Sequence, residues 1–506
     1  MASSQKIVSA LHANWLLNLV GLALSFCATV VLVRTVEPAL YAEYCAVLAI
    51  IGLATFVFEI GANSGLTRYL HDAALGGARG TFYRAMQRRR LLAAALCAAT
   101  LIGLGPIYAR GTQFAALAAD RWLFVLIAAI VASTLVRLLA HYGLIALFET
   151  RTALLLQQGF QILRAASLAA LALAGARLPQ LIGALLVFTL LEGALVHRRL
   201  ARLIDAERAP LPSGFVGRAQ RFGLLTILDK AAAMLGSGSV LMLVLAPHHA
   251  VATMALLGLA VDLVGKLVSV TVMPMGNLVA PYLSQTGDDT AAQALATGRV
   301  VKLSSLLYCF TVGLGALVLP AFVGLVYGQS YREAAGLALL LLLPTAYENW
   351  IRGSCSPALL RNGRGRDLLR VNALQAVVTL ATLALVARQP LPVAILAIGA
   401  ARALPTSLNL LLLRRIVPGR TYLVPLQGLL AALVAAAVAL TATRALPVPE
   451  AARAVLSASL FALLFYAGLR WLVFRDRDTL HLAHRVVGAR RTLLRRLLPA
   501  LPAATA

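Results

Sequence analysis

The chain has 506 residues, 60% of them hydrophobic and only 13% charged, with a mean hydropathy of +0.85. That make-up excludes an ordinary soluble enzyme and fits an all-α polytopic membrane protein. The net charge of +26 comes from 45 Lys and Arg against 19 Asp and Glu. The basic residues sit in short connectors between apolar runs, where the positive-inside rule puts them, so nucleic acid is not an expected partner.

Fourteen apolar runs follow one another along the chain, each near the ~20 residues a bilayer requires. They lie at roughly 13–34, 44–66, 89–108, 121–146, 152–175, 178–197, 221–245, 250–275, 302–326, 333–355, 368–387, 391–413, 423–444 and 451–473. The first is too long for a signal-peptide core and opens with Asn14 and Asn18, so it reads as a retained span. Turn residues punctuate the rest, among them Pro38, Gly76-Gly77, Pro210 with Pro212, Gly363 and Pro418.

With a cytoplasmic N-terminus, inward-facing segments hold about 31 Lys and Arg and outward-facing ones about 8, which predicts both termini inside. The inward runs include Arg84, Arg88, Arg89 and Arg90 after span two, and Arg198, Arg199, Arg202 and Arg208 after span six. A connector at 198–220 sets off the first six spans, and a chain of two packed bundles would place its linker there. The expected organisation is a six-helix lobe at 1–197, a cytoplasmic linker at 198–220, a second lobe at 221–413, a helix pair at 414–474 and a basic tail at 475–506. In that tail, arginines alternate with apolar groups at helical spacing, as in an amphipathic helix on anionic membrane lipid.

Chemistry in such a chain is sought among charges inside the spans, where an ionised group costs at least ~2.5 kcal/mol and marks a pathway or a pair. The cations are Arg137, Arg164, Lys230, Lys266, Arg352 and Arg402, and the acids Glu59, Glu192, Asp229, Asp262 and Glu348. Asp262 with Lys266 and Glu348 with Arg352 stand one helical turn apart, so ion pairing and function compete for them. Arg137, Arg164 and Arg402 have no acid within a turn, which favours a wet cavity or an anionic ligand, while Glu192, near the inner end of its span, reads as a snorkelling group. The cations are expected to line one central cationic chamber, with Glu59, Asp229, Asp262 and Glu348 as ion-coupling or pairing carboxylates. Polar stripes on two spans add a cavity face or a tight helix contact: Asn14, Asn18, Gly21, Ser25 and Thr29, and Thr226, Asp229, Ala233, Gly236 and Ser237.

No enzyme is expected. There is no nucleotide-binding GxxxxGK[ST] motif, His248 and His249 lack a nearby carboxylate, and the five cysteines form no CxxC pair, so neither a metal nor a cofactor is called for. A membrane-embedded glycan polymerase or ligase would want a long outward loop, and the outward loops are short.

Several segments resemble a known family. Residues 30–70, VVLVRTVEPALYAEYCAVLAIIGLATFVFEIGANSGLTRYL, are similar to the opening hairpin of the lipid-linked oligosaccharide flippases of the polysaccharide transport family (Wzx-type), in the multidrug/oligosaccharidyl-lipid/polysaccharide exporter superfamily. Gly61, Arg68 and Tyr69 fit that hairpin's ending, while Ala42 to Tyr44 depart from its usual Tyr-Gly step. VMPMGNLVAPYLSQ at 272–285, VYGQSYREAAGLALLLL at 326–342 and ALLRNGRGRDLLRVNALQAVV resemble later family segments.

The resemblance implies two six-helix lobes around a central cavity plus two C-terminal helices. It implies alternating access that carries a polyprenyl-diphosphate-linked oligosaccharide across a bacterial inner membrane, in a monomer working beside polysaccharide polymerase and chain-length machinery. A cation-coupled multidrug exporter of the same superfamily is the alternative; it would rely on Glu59 and Asp262 and need about twelve spans.

Overall fold

The computed structural model describes residues 20–473 apart from 60, 71, 73–74, 115–116, 118, 148, 272–289, 418–420 and 422. Asn14, Asn18, the 272–285 segment and the basic tail lie outside the described residues. Among those described, every regular element is a helix. The helices are α1 (Val20–Thr35), α2 (Pro38–Phe58), α3 (Ala62–Tyr69), α4 (Arg79–Arg110), α5 (Arg121–Ala146), α6 (Thr150–Leu173), α7 (Leu178–Ile204) and α8 (Phe215–Leu235). There follow α9 (Gly238–Leu245), α10 (Val251–Thr271), α11 (Thr290–Tyr327), α12 (Glu333–Arg361), α13 (Gly365–Val386), α14 (Leu391–Leu413), α15 (Leu423–Arg444) and α16 (Glu450–Gly468).

Among the described residues every expected apolar run is mainly helical, and eleven helices are long and apolar enough to cross a bilayer. The chain is a multi-pass membrane protein. Helices α6 and α8 fall below that apolarity for a visible reason: α6 carries Gln157, Gln158, Gln161 and Arg164, and α8 carries Arg218, Gln220, Arg221, Asp229 and Lys230. Helix α4 turns Leu92, Leu96, Leu104 and Ile107 outward, a surface suited to lipid tails rather than water.

By internal contacts the chain divides into two compact units, Met1–Gly258 and Leu259–Ala506. In the first, α5 packs against α4 and α7 and also meets α2 and α3, while α6 lies on α7 and α9 on α2. A core of Leu66, Phe82, Met86, Leu139, Leu200 and Phe215 ties α3, α4, α5, α7 and α8 together. In the second, α11 packs on α12 and on the α15–α16 pair, and α14 packs against α12 and α13. Pro344 of α12 sits against Gly399 of α14, where a Cβ would crowd its ring.

Two spans expected to be continuous are broken. The run at 44–66 ends as helix at Phe58 and resumes at Ala62 through Gly61, whose φ of 65° is a left-handed conformation that glycine adopts without strain. The run at 221–245 breaks at Gly236 and Ser237; the Ser237 hydroxyl accepts from Val240 N at 3.5 Å and caps α9. Hydropathy does not reveal the breaks because each run stays apolar on average, although Glu59, Asn63 and Ser64 stand near Gly61 and Ser237 and Ser239 near Gly236.

Candidate functional site

The α2–α3 break is clamped from two sides. Interrupting a helix inside a membrane strands carbonyls that water does not reach, so another group must satisfy them. Here Arg90 of α4 does so for Phe58 O, and at Glu59 O it adds to the Ala62 N–H already donating at 3.1 Å. Its Nη1 donates to Phe58 O at 3.3 Å and Glu59 O at 2.7 Å, and its Nη2 to Asn63 Oδ1 at 2.5 Å, on a residue only 2% exposed. From the other side Gly223 of α8 abuts Gly61 backbone to backbone, so closely that a Cβ on either would overlap the other's main chain.

An open pocket of about 530 Å³ lies against this break. Glu59, Asn63, Ser64, Thr67 and Arg68 line it from the break and α3, Tyr142 from α5, and Phe222, Thr226 and Lys230 from α8. The helical period explains the set: 222, 226 and 230 form one stripe, and 63 with 67 and 64 with 68 form two adjoining ones. Arg68 stacks over the Phe222 ring with its guanidinium carbon 4.3 Å from the centroid. Glu59, Arg68 and Lys230 make no side-chain hydrogen bond or ion pair among the described residues, so two cations and one carboxylate face the pocket without neutralising one another.

Arg137, Arg164, Lys266, Arg352 and Arg402 are each paired with an acid. Arg137 and Arg164, expected to lack an acid, both donate to Glu192 Oε2, at 2.6 Å and 2.9 Å. Their partner comes from α7 rather than from their own helices, which same-helix spacing could not reveal. Glu192 does not snorkel either: it is 1% exposed, and its Oε1 has no hydrogen-bond partner among the described residues.

Arg402 likewise has an acid on another helix, Glu348, reached from Nε at 2.9 Å and Nη2 at 2.5 Å. Glu348 Oε1 also takes Arg352 at 2.9 Å and Gln375 at 2.9 Å, and Arg352 extends to Asn372 and Gln375. Three helices of the second unit are thus joined around one buried carboxylate. Lys266 pairs with Asp262 at 2.6 Å as the i, i+4 spacing allows. Asp229 lies on α8 with its side chain outside the described set, and Ser25 is half-buried on α1.

Of the pocket's lining, the sequence had singled out Lys230 as a cation of a central chamber and Glu59 as an ion-coupling or pairing carboxylate, but not Asn63, Ser64, Thr67, Tyr142 or Phe222. Its polar stripe on α8 held Thr226 yet followed Asp229 and Ala233 rather than Phe222 and Lys230. Outside the spans, Glu149 sits at the start of α6. The Thr152 hydroxyl, at 2.8 Å, and then Arg199 Nη2, at 3.1 Å, hold its carboxyl below the usual carboxylate range. Among the described residues no group of three His, Cys, Asp or Glu is placed to hold a metal ion.

No protein-family model matches the sequence, and no curated protein matches it. Solved structures do resemble it in fold. The lipid II flippase MurJ, in an inward closed conformation, is 11% identical with a TM-score of 0.67, over 91% of this chain and 99% of that one. An inward-facing multidrug resistance MATE family transporter of the MOP superfamily is 14% identical with a TM-score of 0.57, over 80% and 95%. The MATE transporter VcmN of Vibrio cholerae is 13% identical with a TM-score of 0.55, over 82% and 98%. The chain therefore has the fold that MurJ shares with the MATE transporters.

Proposed function

We propose that the protein is a transporter that carries a polyprenyl-diphosphate-linked oligosaccharide across a bacterial inner membrane by alternating access between two lobes. One observation carries this reading: Glu59, Arg68 and Lys230, three ionisable side chains without an ion-pair partner among the described residues, all line one pocket. A diphosphate needs cationic partners within the membrane, and the pocket offers an arginine, which can bind phosphate through two donors, beside a lysine. Ser64, Thr67, Thr226 and Asn63 add neutral hydrogen-bonding groups for the adjoining sugar. The likeness to a lipid II flippase supports a lipid-borne substrate, and the resemblance of residues 30–70 to oligosaccharide flippases supports a glycan for surface polysaccharide. Both termini are cytoplasmic in this reading, with the arginine-rich tail on anionic lipid.

A second reading, export of organic cations coupled to an ion, draws on the MATE likeness and on Glu59. Reconstitution separates the two. Proteoliposomes given a fluorescent polyprenyl-diphosphate sugar should move it between leaflets, and Arg68→Met and Lys230→Met should each slow that movement at unchanged reconstituted amounts. Movement of an organic cation abolished by Glu59→Gln, with no movement of the diphosphate lipid, overturns the first reading in favour of the second.

A further inference from the structure

We infer that Arg90, which does not line the pocket, is its positioning residue: it fixes the break in span two so that the segment 59–68 presents its side chains to whatever binds. Five of the pocket's lining residues hang from that ten-residue segment, and only the break aims them there. An unbroken helix through 58–62 would satisfy its own carbonyls. It would also rotate and raise everything beyond Gly61, since each residue of helix adds about 100° and 1.5 Å.

Arg90 removes the incentive to close. It supplies the donor that the missing helical turn would have supplied to Phe58 O, adds a second donor to Glu59 O, which also accepts from Ala62 N at 3.1 Å, and its second terminal nitrogen grips Asn63 on the far side of the break. One planar guanidinium thus spans both edges of the gap. A lysine ammonium, a single point charge, cannot hold acceptors so spread out.

The charge matters as well as the fork. All three hydrogen-bond acceptors of Arg90 are neutral, and the acid whose field it feels is Glu59. Arg90 therefore stands as a buried cation behind the pocket wall and outside its lining. The break itself is independent of the ligand's identity; the effect on transport rests on the diphosphate reading above.

The test uses the full-length protein with its five native cysteines replaced and a single cysteine at Ser64→Cys or Thr67→Cys, labelled with a water-soluble maleimide. With Arg90→Met, labelling at the two positions should change by about threefold or more. The apparent KM for fluorescent polyprenyl diphosphate in proteoliposomes should rise about tenfold at similar kcat, because misplacement by about an ångström is enough for losses of that order or greater. Arg90→Lys should fall between. Adding Asn63→Asp to Arg90→Lys, which gives the ammonium a carboxylate across the gap, should restore part of both.

Unchanged labelling and unchanged KM in folded Arg90→Met would overturn the inference. So would losses in Arg90→Met and Arg90→Lys that track unfolding alone, with no recovery from Asn63→Asp. If Arg90→Met does not fold, the Arg90→Lys pair carries the test. If Arg68→Met and Lys230→Met leave KM untouched, the functional reading fails while the labelling still decides the role of Arg90.

Discussion

The first unit's pocket and the second unit's Glu348 cluster use the same kinds of residue to opposite ends. Around Glu348, both carboxylate oxygens are taken by guanidiniums and an amide, Glu348 and Arg402 are almost fully buried, and three helices are bound together. In the pocket, Glu59, Arg68 and Lys230 face a shared space with no side-chain hydrogen bond among the described residues. The Glu192 cluster stands between the two, since both arginines bind one carboxylate oxygen, leave the other unused, and retain 14% and 19% of their side-chain exposure. A charge inside a membrane is thus no guide to function until its partners are counted.

Removing the acid from each cluster should give effects in that order. Glu348→Ala strands the buried Arg402 guanidinium in a three-helix contact, while Arg352 keeps Asn372 and Gln375, and should cost about 3–5 kcal/mol, the range for breaking a buried pair from one side. It is read as a fall in the thermal midpoint and in detergent-extractable protein. Glu192→Ala should cost roughly half as much, because Arg137 and Arg164 keep some access to other partners. If Glu192→Ala proved the more damaging, the ranking of the two clusters by satisfied groups would be wrong.

The pocket variants sharpen the same contrast. Lys230→Met should leave the thermal midpoint near wild type, within the ~0.5 kcal/mol usual for exposed positions, while lowering lipid movement severalfold. Equal loss of stability and transport would move Lys230 into the structural class. The smallest effect is expected outside the spans. The Glu149 carboxyl, held low by Thr152 and then Arg199, contributes stability that is present above the ordinary carboxylate range and is lost as pH falls through its lowered value. Thr152→Val should therefore weaken the protein slightly at neutral pH and flatten its acid-side decline in a pH series of melting curves.

Much of the helical layout was legible because the lipid requirement is coarse: about twenty apolar residues, then a connector. The run at 121–146 emerges as helix Arg121–Ala146 and the run at 391–413 as Leu391–Leu413. The breaks were not legible, since Gly61 and Gly236 interrupt hydrogen bonding without interrupting hydropathy. The partners of Arg137, Arg164 and Arg402 escaped notice because Glu192 and Glu348 reach them across helices, beyond any fixed spacing. Arg90 was hidden differently. It ends a run with Arg88 and Arg89, both exposed, and such a run reads as a solvated connector. The usable signal was that Arg90 falls on the same face as Met86, Ala94 and Cys97, which are buried on α4.

The meeting of Gly61 and Gly223 has a genetic corollary. Each residue is forbidden a side chain by the other's main chain, so exchanging either for alanine should force the same two segments apart, Gly61 with the added strain of its left-handed φ, and exchanging both should be milder than the sum of the two. Neither lesion can be cured by trimming its neighbour, because there is nothing left to trim. Suppressors of a damaged Gly61 or Gly223 should therefore arise elsewhere, in residues that let α8 stand farther from α3.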